Sequence, residues 1–145
     1  MAHTVRINVR TDDTDTNGHV RNSRYLDYGV HARWLTLLHS GLDPRALAAR
    51  RLGPVDLETT VRYRKELVIG DDVDVLTRFL YPEPRTVNVL QTLTRASDGV
   101  VAAEIRTVNA IMDLQHRKLL DDVVGAYRTL LTDHVSVDLD ELSIR

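Results

Sequence analysis

The chain contains no cysteine at all. Disulfides, thiolate nucleophiles and cysteine-ligated metals are therefore excluded, and a reducing compartment is compatible with the sequence. It also lacks any apolar run approaching the roughly 18 residues of a membrane-spanning helix. The opening stretch, MAHTVRINVRTDDTD, has no apolar centre of the kind a secretory signal needs, so a cytoplasmic location is expected, with no membrane partner. An excess of basic charge is missing too: 19 Lys and Arg stand against 21 Asp and Glu. A nucleic-acid partner would call for a basic balance, although the cations can still cluster locally for a phosphorylated ligand. Only 4 prolines and 7 glycines occur, too few for a linker or a low-complexity tract. No glycine-rich phosphate loop, G-x-S-x-G elbow or H-E-x-x-H pair is present, and His31 and His39 are more than two helical turns apart. No metal site is expected.

What is present is enough for one sizeable core. At 145 residues and 43% hydrophobic, the chain reads as a single domain over 1–145, with its core over about residues 3–132 and a loose tail beyond. Val5, Ile7 and Val9 alternate with Arg6, Asn8 and Arg10, the period of a half-buried strand. The following TDDTDTNGHVRN is dense in turn formers and acids and predicts a loop. From Arg24 the period changes: Leu26, Val30, Trp34 and Leu38 recur every four residues. Asn22 or Ser23 is placed to cap that helix and Gly41 to end it, giving about 16 residues, roughly 24 Å.

After Gly53-Pro54 a long period-two run extends from Val55 to Ile69. Turns at Gly70-Asp71-Asp72, Pro82-Glu83-Pro84 and Ser97-Asp98-Gly99 then separate three further strands. Short turns between consecutive strands force antiparallel pairing. A second helix is expected over Asp121 to Leu131. The fold class is thus α+β, an antiparallel sheet of about five strands around one long central helix. One helix cannot cover a sheet's faces and edges, so pairing with a second copy is expected.

Asp15, Asn17 and His19 lie two residues apart just before the main helix. In an extended segment their side chains would share one side. A carboxylate there can attack a carbonyl or activate water, while an amide and an imidazole orient water or substrate. Unpaired N–H groups at the helix start, near Asn22 and Ser23, can hold a developing oxyanion. The same residue types are also ordinary turn and cap formers, and spacing alone does not separate the two readings.

The stretch VRTDDTDTNGHVRNSRYLDYGVHARWLTLL resembles the signature of the 4-hydroxybenzoyl-CoA and acyl-CoA thioesterase families, roughly D-x-D-x-x-G-H-V-x-N-x-x-Y-L-x-Y-x-x-x-A-R. Asp13, Asp15, Gly18, His19, Val20, Asn22, Tyr25, Leu26, Tyr28, Ala32 and Arg33 match it. VRYRKELVIGDDVDV is similar to the second family element, Y-R-x-P/E-L-x-x-G-D. The resemblance implies a hot-dog fold, assembled as a homodimer or homotetramer with sites at the subunit boundary. It implies hydrolysis of an acyl-CoA or acyl-carrier-protein thioester, with coenzyme A or phosphopantetheine arriving as part of the substrate and no separate cofactor. Asp15 matches the catalytic carboxylate, as nucleophile or general base. Asn17 and His19 match the asparagine and histidine of the acyl-ACP branch. Asn22, Tyr25 and Arg85 are the candidate substrate-binding residues, Arg85 for CoA phosphates. Glu66 falls where the acyl-ACP branch has a further acid. Its strand neighbours Arg62 and Arg64 instead suggest a solvated ion pair, and it is left outside the candidate set.

Two rivals remain on the same fold. A hydratase or dehydratase of enoyl or hydroxyacyl thioesters resembles an Asp…Asn-Pro-x-His arrangement, whereas Gly18 follows Asn17 here. A non-catalytic acyl-CoA-binding protein is the other, because a fold does not guarantee activity.

Overall fold

The computed structural model describes residues 3–140. Its sheet runs in the order β1-β3-β4-β5-β2, all pairs antiparallel, with strands β1 His3–Asn8, β2 Leu52–Tyr63, β3 Asp72–Glu83, β4 Thr86–Arg95 and β5 Val101–Asp113. A two-residue strand, β6 Lys118–Leu119, adds to β5. Alternation explains the pairing faces: Val73, Val75, Phe79, Val87, Val89 and Leu93 all point inward and are almost wholly buried.

The long helix α1 spans Asn22–His39, 18 residues rather than 16. Its cap position is Arg21, not Asn22 or Ser23, and no side chain supplies a cap hydrogen bond. Gly41, at φ +93°, takes the chain out of the helix, as its sequence position suggests. The N-terminal half of α1 buries Tyr25, Tyr28 and Ala32 against Val5, Val73, Val75, Leu93 and Ile105. Its C-terminal half buries Leu37 against Phe79, Tyr81, Val87 and Ile111, with help from the short helix α3, Val123–Leu130. Between these apolar blocks lies a polar belt. The Gln91 amide donates to the Gly29 carbonyl at 2.7 Å and to Thr77 Oγ1 at 3.1 Å, all within the interior. Gly29 permits that close approach, since a Cβ there would lie 2.8 Å from the Gln91 and Ile105 side chains.

Three expectations require correction. A helix α2, Pro44–Ala49, occupies a stretch the apolar period did not single out; Asp43 caps it, accepting from the Arg45 N–H at 2.9 Å, with Pro44 in the first turn. The period-two run does not continue to Ile69. Strand β2 ends at Tyr63, and Leu67 is buried from a loop because the Tyr25 hydroxyl accepts its N–H. The segment after residue 132 is not loose within the described residues. Ser136, Val137, Asp138 and Leu139 are buried, Asp138 accepts the Phe79 N–H at 2.9 Å, and the Tyr81 hydroxyl donates to the Val137 carbonyl.

The candidate active site

The loop between β1 and α1 is built around two carboxylates. A 3-10 turn at Thr11–Asp13 brings Asp13 inward, where it is 7% exposed. One of its oxygens accepts the Tyr28 hydroxyl at 2.8 Å and the Arg10 N–H at 3.0 Å, and Arg24 Nε stands 3.6 Å from the other. Burial, and then the hydrogen bond to this anion, push the Tyr28 hydroxyl well above its usual range. Asp13 is thus the bolt between loop and helix.

Two residues on, Asp15 is exposed. The segment from Asp15 to His19 is not extended but closes a tight turn. The Asp15 N–H donates to the His19 carbonyl at 2.8 Å, and the Gly18 N–H to the Asp15 carbonyl at 3.1 Å. Gly18 sits at φ +78°, a conformation glycine adopts without penalty. Asp15 Oδ1 accepts the N–H groups of Asn17 (2.9 Å) and His19 (3.1 Å). Its Oδ2 has no hydrogen bond among the described residues, leaving one oxygen as the spine of the turn and one for a ligand. Bridges from Thr14 to Val20 and from His19 to Val68 then fasten the turn to the loop after β2.

That second loop completes the site. The Tyr25 hydroxyl accepts from the Leu67 N–H and donates to the Lys65 carbonyl, and the Tyr63 hydroxyl donates to the Asn22 carbonyl at 3.1 Å. The two tyrosine rings meet edge to face, 5.2 Å apart. Burial raises the Tyr25 hydroxyl above its usual range. The result is an open cleft of about 330 Å³ with Asp15, His19, Asn22, Tyr25 and Tyr63 on its walls and Arg64, Lys65 and Glu66 at its rim. His19 Nε2 lies 3.6 Å from Glu66 Oε2. The cleft therefore holds an imidazole 3.6 Å from one carboxylate, beside a second carboxylate with a free oxygen, next to the uncapped start of α1.

Of the sequence candidates, Asp15, His19, Asn22 and Tyr25 are brought together here. Asn17 is exposed and lies outside the lining, contributing its backbone to the turn rather than its amide to the cleft. Arg85 is elsewhere, on the β3–β4 hairpin, 3.2 Å from Asp121 in a different depression. Glu66 forms no ion pair with Arg62 or Arg64 among the described residues. It pairs with His19, while Arg64 pairs with Glu104. Tyr63 and Lys65 were not singled out from the sequence, although both lie within the Y-R-x-E-L element. Among the described residues no group of three or more metal-ligating side chains stands close enough to hold an ion.

Comparison with known proteins gives the same picture. The chain is 26% identical over 115 residues to the long-chain acyl-CoA thioesterase FadM of Escherichia coli, covering 79% of this chain and 86% of that one. The structure of a 1,4-dihydroxy-2-naphthoyl-CoA thioesterase from Synechocystis superposes with a TM-score of 0.82 at 16% identity, covering 92% and 97% of the two chains. A Staphylococcus aureus protein solved in complex with CoA superposes with a TM-score of 0.81 at 19% identity, covering 90% and 81%. These two establish the hot-dog fold. The family model of the thioesterase-like superfamily matches residues 9–140, so the chain belongs to that superfamily and is a thioester hydrolase.

Proposed function

We propose that the protein hydrolyses an acyl-CoA, with Asp15 as the reacting carboxylate. The observation that carries this reading is the divided role of that side chain, one oxygen held by two loop N–H groups and the other open to the cleft. As nucleophile, Asp15 attacks the thioester carbonyl and the thiolate leaves with a proton. The acyl–aspartyl anhydride then takes up water to give the free acid. As general base, it removes a proton from water as that water attacks. Either way the reading assigns the negative charge on the carbonyl oxygen to the N–H groups at the start of α1, where Asn22 lines the cleft. His19, 3.6 Å from Glu66 on the cleft wall, returns the proton to the leaving sulfur in this reading. Label found in Asp15 after a single turnover in heavy-oxygen water establishes the anhydride opened at its aspartyl carbon, whereas label confined to the product acid fits general-base attack or opening at the acyl carbon.

CoA delivery is favoured over a carrier protein by the acyl-CoA relative FadM and by the CoA-bound structural neighbour. The sequence's lack of cysteine accords with work in the cytoplasm. A homodimer is part of the proposal. The outer edge of β2 pairs with no strand among the described residues, and Leu57 and Tyr63 on it are each 50% exposed. A second copy joined along this edge would also wall the cleft, because Tyr63 belongs to both. Thiol release from a panel of acyl-CoAs, run beside sedimentation, tests the reading. Hydration of crotonyl-CoA without thiol release would favour the hydratase, and binding without either reaction a sensor. A mass of four chains would make the dimer a unit of a tetramer.

A further inference from the structure

A second cavity, of about 210 Å³, lies farther along α1, where Val30, Trp34 and Leu37 face Pro54 of β2. Its polar wall is unusual for an apolar setting. Arg33, 8% exposed, holds the Asp56 carboxylate at 3.1 Å through both terminal nitrogens. Asn109 Nδ2 donates to Asp56 Oδ1 at 2.8 Å and to the Val55 carbonyl at 3.0 Å. Both partners of that amide nitrogen are acceptors, so the amide orientation is fixed with its oxygen turned away from them. No donor reaches the Asn109 oxygen among the described residues. Asp56 sits beside an irregularity in the β2–β5 register, with its side chain still 38% exposed. The wall therefore offers acceptors to the cavity: the Asn109 oxygen and the remaining lone pairs of Asp56. Its cation is already engaged by Asp56.

The cavity and the Asp15 cleft share the same two elements. Tyr63 of β2 meets Asn22 of α1 at the cleft, and Asp56 meets Arg33 at the cavity. The eleven residues from Asn22 to Arg33 correspond to about 16 Å along the helix. Between them the inward side of β2 presents Thr59, exposed, and Val61, half-buried.

We propose, building on the thioesterase reading above, that this cavity receives the distal end of the acyl group. It would select acyl chains that carry a hydroxyl there. A hydroxyl has one proton to donate, to the Asn109 oxygen or to Asp56. A distal carboxylate is repelled by Asp56, and a bare methyl end strips water from these acceptors without replacing it.

The test uses straight-chain acyl-CoAs of increasing length, each with and without a terminal hydroxyl, and reads kcat/KM. The pairs should be equal when short. They should favour the hydroxylated member by about tenfold or more once the chain reaches the cavity. Asn109→Leu and Asp56→Asn should collapse that ratio towards one, with folding checked by circular dichroism. A structural role would instead lower both members of each pair alike and leave the ratio intact. Equal rates at every length in the wild type overturn the proposal while leaving thioester hydrolysis standing. Failure to release thiol from any substrate overturns the hydrolytic reading. Equilibrium binding of the same pairs then decides the cavity's preference on its own.

Discussion

Asp13 and Asp15 are the same residue type in one loop, two positions apart, yet the base and the tip of that loop place them in opposite situations. The base is dry: Asp13 is surrounded by a tyrosine hydroxyl, a backbone N–H and an arginine, and it ties the loop to α1. The tip is wet: Asp15 organises only its own turn and keeps an oxygen for a ligand. The difference shows how one motif separates holding from reacting by burial alone. A carboxylate enclosed by a hydroxyl, an N–H and a guanidinium is a structural part, and one with an oxygen open to a cleft is available for chemistry.

The comparison predicts opposite signatures for the two positions. Asp15→Asn should lower kcat by about a thousandfold or more, because an amide neither attacks nor accepts a proton. Its side-chain oxygen can still accept the two loop N–H groups, so the urea unfolding midpoint should stay close to wild type. Asp13→Ala should show the reverse emphasis: about 2–4 kcal/mol of stability lost, since a buried hydroxyl and N–H lose their acceptor. Its kcat should fall less than that of Asp15→Asn, and only through displacement of the loop. If Asp13→Ala proves as inactive as Asp15→Asn yet fully stable, the division of roles is wrong.

Tyr28→Phe removes the hydroxyl from the other side of the bolt and should cost about 1 kcal/mol by the same unfolding measurement, with kcat nearly unchanged. The smallest effect concerns pH. The Tyr28 hydroxyl is raised above its ordinary value of 10.0 in the folded protein, so the folded state retains a proton that the unfolded chain releases. Its contribution is complete below about pH 10 and declines as pH rises beyond that value. Unfolding curves from pH 9 to 11 should show a decline that Tyr28→Phe makes shallower.

Much of this was legible in the sequence, for identifiable reasons. Alternation at Val73–Val75 and Val87–Val89 reports directly on which side is buried, but the stripe of Leu26, Val30, Trp34 and Leu38 on α1 does not: Leu38 is exposed, and the buried side carries Tyr25, Tyr28, Ala32, Thr36 and Leu37. The motif named Asp15, His19, Asn22 and Tyr25 correctly as neighbours. Asn17-Gly18 is itself a turn signal, but reading the segment as extended put the Asn17 amide in the cleft. Asp43-Pro44 is likewise a helix-start signal without an apolar period behind it. Other features lay beyond local reasoning. Alternation through Arg64, Glu66, Leu67 and Ile69 imitates a strand, and only the contact of Tyr25 with Leu67 shows the chain has turned. The pairing of Arg33 with Asp56 depends on a register irregularity that no spacing reports. The choice of which aspartate is buried depends on Tyr28, fifteen residues away.

The docked segment after α3 has a wider consequence. Strand β1 covers β3 only from Asp72 to Thr77, and beyond it the exposed border of β3 would be open to any extended chain. Asp138 occupies the Phe79 amide there, and Val137 engages Tyr81, so that border is sealed from within. The borders left for strand addition among the described residues are then the outer sides of the two terminal strands, β1 and β2. What the docked segment removes is a third place, along the uncovered part of β3, where a foreign strand could add.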